Sequence, residues 1–166
     1  ALLGQDGITN GAIYALLALA LVLVFAVTRI IFIPQGEFLA WGALTMAALE
    51  AGQYPGTMWL LLAAGGLTLL ADLASARGQR RRLLRSALWN LAYPLALAGT
   101  LAQLPLADLP ALVKVALTLA IVVPMGPMLY RLVFQPVAEA PVLILLIISV
   151  ALHLVMVGLG LLIFGP

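Results

Sequence analysis

Two uninterrupted apolar runs bracket this chain and limit what it can become. Residues 8–27 are twenty residues without a charge, and residues 142–164 are twenty-three with no formal charge at neutral pH. A helix rising about 1.5 Å per residue needs about 20 residues to cross a hydrocarbon core about 30 Å thick. Each run meets that length. Further apolar stretches occupy residues 57–71, 86–106 and 111–130. Of the 166 residues 65% are hydrophobic and 8% are charged, against about 25% charged in an average soluble domain. Polar groups are too few to cover a globule. A cleaved leader accounts for one apolar run, not for runs that recur to the last residue. In hydrocarbon the backbone must satisfy itself, which leaves helices for segments of this length. The expectation is an all-α, polytopic transmembrane helical bundle.

The pattern is interrupted early, at Ile31-Phe32-Ile33-Pro34-Gln35-Gly36-Glu37-Phe38. Pro34 removes a backbone donor and pushes Ile33 away from helical angles. Gly36 tolerates angles that other residues avoid. Gln35 and Glu37 place polar side chains where hydrocarbon is expected. Non-helical backbone at membrane depth persists only where protein or a water-filled cavity covers it, and broken helices mark substrate paths in transporters. Between Glu37 and Glu50 lie twelve uncharged residues, about 18 Å of helix, which is short of the core. Residues 38–49 are therefore half of a broken span or a short sheltered helix, bringing the count to about six membrane segments. Glu37 at its start has the sign that favours a helix N-terminus.

Elsewhere the chain reads more plainly. Residues 1–7 form a short outer tail, and Thr9 or Asn10 caps the first helix. Gly7, Gly11 and Ala15 make a small-residue stripe for close helix packing. Gly52-Gln53-Tyr54-Pro55-Gly56 is a turn. Pro124-Met125-Gly126-Pro127 breaks the fifth segment late, and residues 131–141 form a polar connection. Arg77, Arg80, Arg81, Arg82 and Arg85 supply five of eight basic residues. This 77–85 loop reads as a cytoplasmic topology signal, or as a docking patch for a partner or anionic lipid. With it inside and the spans alternating, Arg29 and Arg131 also fall inside, and the N-terminus, Tyr54 and Asp108 fall outside. Lys114 is then the one outer basic residue.

The chemistry-bearing residues are few. There is no Cys, and one His with six scattered carboxylates gives no metal-ligand spacing. No phosphate-binding G-x-x-x-x-G-K-[ST] loop occurs, so any ATP hydrolysis belongs to another chain. The net charge of +2 gives no reason to expect nucleic-acid binding. No cofactor and no catalytic residue is expected. Candidates for a translocation pathway are Asn10 and Tyr14, one turn apart on the first helix; Gln35, Gly36 and Glu37 at the interruption; and Ser149 and His153, which share a face of the last. Each has a plainer reading as well: interhelical hydrogen bonding for Asn10, Tyr14 and His153, and helix capping for Glu37.

Two segments carry a resemblance. Gly7-Ile8-Thr9-Asn10-Gly11-Ala12-Ile13-Tyr14-Ala15-Leu16, continuing through Arg29 to Phe38, and Tyr130-Arg131-Leu132-Val133-Phe134-Gln135-Pro136-Val137 with Ala140-Pro141-Val142-Leu143 resemble segments of branched-chain amino acid ABC transporter permeases. Those proteins open on a G-x-x-Y-A-L type helix followed by I-N-F-A-H-G-E, and carry an R-P-L connection later. The chain departs from that pattern at Phe32, Pro34, Gln35 and Gln135, where the family usually has Asn, Ala, His and Arg. The resemblance implies a single permease domain over residues 1–166, corresponding to an N-terminal half or a divergent, truncated member. It further implies a multi-pass protein of the bacterial inner membrane, an importer subunit for branched-chain or related amino acids. Its partners would be cytoplasmic ABC ATPase subunits, a second permease subunit and a periplasmic substrate-binding protein. A permease for sugars, urea or amides, and a non-transporting membrane scaffold or degenerate fragment, remain the alternatives.

Overall fold

The computed structural model describes residues 2–75 and 87–165. The arginine-rich loop, with Arg77, Arg80, Arg81, Arg82 and Arg85, lies outside the described residues. Among those described there are six α-helices and no strands. They are α1 (Leu2–Thr28), α2 (Gln35–Glu50), α3 (Thr57–Ser75), α4 (Tyr93–Gln103), α5 (Ala111–Leu129) and α6 (Val142–Phe164). Wider π-helical turns precede α4 at Leu88–Ala92 and follow α5 at Tyr130–Phe134. Four stretches are long and apolar enough to cross a membrane: Leu3–Thr28, Thr57–Ala74, Ala111–Val137 and Val142–Phe164. With sixteen residues, α2 is about 24 Å long and falls short of that length. The stretch expected to span at 86–106 is likewise shorter, its helix ending at Gln103.

Sequence punctuation explains most of the boundaries. Pro34, Pro110 and Pro141 each stand directly before a helix, where the missing N–H costs nothing and the fixed φ suits the first turn. Arg29 ends α1 at φ 58°, the left-handed turn that commonly terminates helices. Two expectations fail at the first helix. Residues 1–7 are not an outer tail, because α1 is already helical from Leu2. Thr9 caps nothing: its hydroxyl donates to the Gln5 carbonyl one turn back, inside the helix.

The expected late break at Pro124 and Pro127 also fails, for a reason that packing supplies. Both prolines lie inside α5, which continues to Leu129. Pro124 cannot donate to the Ala120 carbonyl four residues earlier, and the Tyr93 hydroxyl of α4 donates to that oxygen instead, at 2.8 Å. A neighbouring helix thus satisfies the acceptor that proline leaves open. The Asn90 carbonyl, in the π-helical turn before α4, faces Gly65 of α3, where a Cβ would overlap it.

The core lies among α2, α3, α5 and α6, with Trp41, Leu49, Met58, Leu61, Ile121, Met125 and Met156 buried together. Contacts at the helix ends separate two sides. At one end Asp72 pairs with Arg131 at 2.6 Å, and Thr28 and Ile30 lie against Tyr130 and Phe134. At the other, Gly52 lies on Ala107 and Gly56 on Ile163. The basic residues Arg29 and Arg131 thus share one end. Lys114 is at the opposite end, nearly buried, its ammonium donating to the Ala107 carbonyl. Helix α1 stands on the outside of the bundle, and Gly4, Gly7 and Gly11 meet nothing within 4 Å. The small-residue stripe expected to pack closely on a helix therefore has no partner among the described residues.

Candidate functional site

Residues 29–34 leave the helical path and turn back into the bundle. Two contacts fix how far. The Gln35 side-chain amide donates to the Leu17 carbonyl at 3.0 Å, near the middle of α1. The Glu37 carboxylate lies 3.5 Å from Nδ1 of His153, the twelfth residue of the 23 in α6. From Thr28 back to Leu17 is about 16 Å along α1, and six residues reach about 20 Å when extended. The chain therefore descends through α1 and returns about halfway as non-helical backbone. It starts α2 at mid-depth. Residues 29–50 thus pair an irregular half with a helical half.

Polar and aromatic side chains hold the irregular half. The Ile33 N–H is shared between the Ile31 carbonyl, closing a tight γ-turn, and Oγ of Ser149, each at 3.0 Å. Ser149 is fully buried. Phe32 packs against Phe38 and edge-on against Phe134, and Phe38 tilts against Trp41. The rings form a continuous wedge from the turn after α5 to the first turns of α2. The Pro34 carbonyl accepts from the N–H groups of Glu37 and Phe38, starting the helix.

On the far side of Glu37 a groove of ≈ 340 Å³ runs between α2 and α6. Glu37 and Trp41 line it from α2, and Gly160, Leu161 and Phe164 from α6. It is mostly apolar and leads toward the end of the bundle that carries Gly165. Among the described residues, the buried side-chain polar atoms without a hydrogen-bond partner are Nε1 of Trp41 and Nδ1 of His153. Both flank this region. Gly160 packs closely there, since a Cβ would lie 3.2 Å from the Trp41 indole nitrogen. In the turn between α2 and α3, burial pushes the Tyr54 phenol up from its ordinary value.

The seven expected pathway residues divide. Gln35, Glu37, Ser149 and His153 come together around the start of α2, with Gly36 exposed between the first two. Asn10 and Tyr14 are exposed in the other half of α1 and touch none of these four. They do share the helical face of Val24 and Thr28, which meets Phe32 and Tyr130. Sequence reading missed Trp41 and Phe32. Phe32 had one visible signal, its place within the interruption; Trp41 had none, because its indole N–H becomes an orphan only when α6 packs on it. No group of three or more His, Asp or Glu gathers among the described residues.

Comparison with known proteins matched no family, no curated protein and no solved structure.

Proposed function

We propose that this chain is the membrane-spanning permease component of a solute transport pathway. The observation that carries this reading is the broken crossing: α2 starts at mid-depth, with Glu37 and His153 beside an apolar groove. Ionisable groups at that depth are costly unless a cavity or partner shelters them. Irregular backbone there serves transporters by placing helix ends against a substrate. Apolar walls such as Leu44 and Leu161 suit an aliphatic side chain, and Glu37 with the polar backbone of residues 29–34 suits charged ends. Together with the resemblance to branched-chain amino acid permeases, this leads to an ABC importer subunit for branched-chain or related amino acids in a bacterial inner membrane. Cytoplasmic ATPase subunits, a second permease subunit and a periplasmic binding protein would complete it. The end bearing Arg29 and Arg131 would face the cytoplasm by the positive-inside rule.

Uptake of labelled leucine by cells expressing the chain with its cognate ATPase tests this. Glu37→Gln and Gln35→Ala should lower uptake without lowering membrane insertion, and competition by urea, amides or sugars would redirect the substrate. Uptake unchanged in both variants would remove Glu37 and Gln35 from the pathway, and no uptake above background with the unaltered chain would leave a non-transporting scaffold as the better reading.

A further inference from the structure

We propose that Glu37 and His153 form a proton-binding site at the middle of the bundle. There a proton arriving through the α2–α6 groove converts a loose contact into an ion pair that clamps the start of α2 to α6. The inference concerns the pair's geometry and stands whichever solute, if any, the chain carries.

The separation carries the argument. At 3.5 Å, Nδ1 of His153 and the nearer Glu37 oxygen are too far apart for a charge-assisted hydrogen bond, which closes to about 2.7–2.9 Å. Yet Nδ1 is buried and has no other partner. Protonated imidazole is a donor at both nitrogens, and Glu37 is the acceptor within reach. The proton adds to the imidazole and stays there; no bond breaks and no other reactant is needed.

The surroundings leave Glu37 and His153 to each other. On α1 the facing stretch from Gly7 to Thr28 holds no Lys, Arg, Asp or Glu, only Tyr14. On α5 there is none after Lys114, which is committed to the Ala107 carbonyl at one end. The turn after α5 brings Tyr130, stacked on Phe134, and Arg131, paired with Asp72. Arg29 stands at that same end, six residues before Gln35. Glu50 and Asp108 belong to the opposite end, on α2 and the short turn beside it. The groove gives water a route, because Glu37 lines it.

A closing motion has a place to act. Gly36 immediately precedes Glu37, and open space surrounds it. Pro34 fixes the turn before it. Drawing Glu37 toward His153 moves the first turn of α2, and with it Trp41 one turn on, whose indole N–H already abuts Gly160.

The chain contains one histidine, so ¹⁵N-histidine labelling gives a single-site signal. The experiment is an NMR pH titration of the labelled chain in lipid nanodiscs, alongside Trp41 fluorescence in a Trp59→Phe, Trp89→Phe background. The His153 ¹⁵N signal should respond to pH. Trp41 emission should change with the same midpoint. Glu37→Gln should weaken proton binding to His153, because it removes the opposite charge beside the ring, and Glu37→Asp should fall between. A His153 signal that does not titrate in the wild type overturns the site. A midpoint that Glu37→Gln and Glu37→Asp leave unmoved overturns the pairing. Trp41 emission that ignores the titration overturns the clamp. None of these readouts uses transport, so failure here is separable from failure of the permease reading.

Discussion

Ser149→Ala removes a side-chain oxygen that ties the irregular segment before α2 to α6. The Ile33 N–H divides itself between Ser149 Oγ and the Ile31 carbonyl, so the substitution does not strand it. The γ-turn bond remains. The loss is therefore nearer the net worth of one hydrogen bond, about 0.5–1.5 kcal/mol, than the penalty of about 1–3 kcal/mol for a fully orphaned buried donor. If that loss appears as easier release of residues 29–34, the opening equilibrium rises by roughly 2- to 13-fold, since about 1.4 kcal/mol is a factor of ten. Amide hydrogen exchange at Ile33 in nanodiscs reads this directly. Ser149→Ala should exchange faster by that factor, and Ser149→Thr, which keeps a hydroxyl, should stay near wild type. Exchange at Ile33 equal in all three proteins would refute the claim that Ser149 holds the segment at depth.

Two further substitutions probe the framework that supports the site. Gly65→Ala places a Cβ onto the Asn90 carbonyl, with backbone on both sides of the overlap; separating α3 from the turn before α4 should cost about 1–3 kcal/mol, as overpacking does, and lower the thermal midpoint in detergent. A thermal midpoint matching wild type would show that the helices do not approach this closely. Thr45 and Thr57 are fully buried with their hydroxyls 2.6 Å apart, and Thr45 also donates to the Trp41 carbonyl or shares its proton with Thr57. Replacing both by Val should cost less than the two single costs added, because a lone remaining hydroxyl is left partly unsatisfied. Strictly additive unfolding free energies in that double-mutant cycle would rule out coupling between them.

How much of this was legible beforehand differs from element to element. The apolar runs at 8–27 and 142–164 located α1 and α6, because a helix long enough to cross hydrocarbon needs only composition and length. The interruption at Pro34 and Gly36 was equally plain, since proline and glycine act on the backbone they occupy. Gln35, Glu37, Ser149 and His153 were visible as candidates from polarity alone. Pattern reading failed where a distant group changed a local outcome. Pro124 and Pro127 read as a helix break, and the Tyr93 hydroxyl, 27 residues from the carbonyl it reaches, keeps the helix running. Thr9 read as a cap, and the helix begins a full turn and more before it.

The amino-acid sequence by itself determined that the chain is helical, that it carries several membrane-length segments, and that its helical path is interrupted after Arg29. Those properties follow from the transfer preference of each residue and from the backbone limits of proline and glycine. The tertiary structure alone decided depth and partnership: that α2 starts beside the middle of α1, that Ile33 meets Ser149 across 116 residues, and that Glu37 faces His153. Hydrophobicity says which residues belong in hydrocarbon, but which buried polar groups meet depends on how the helices pack, and no local pattern encodes it.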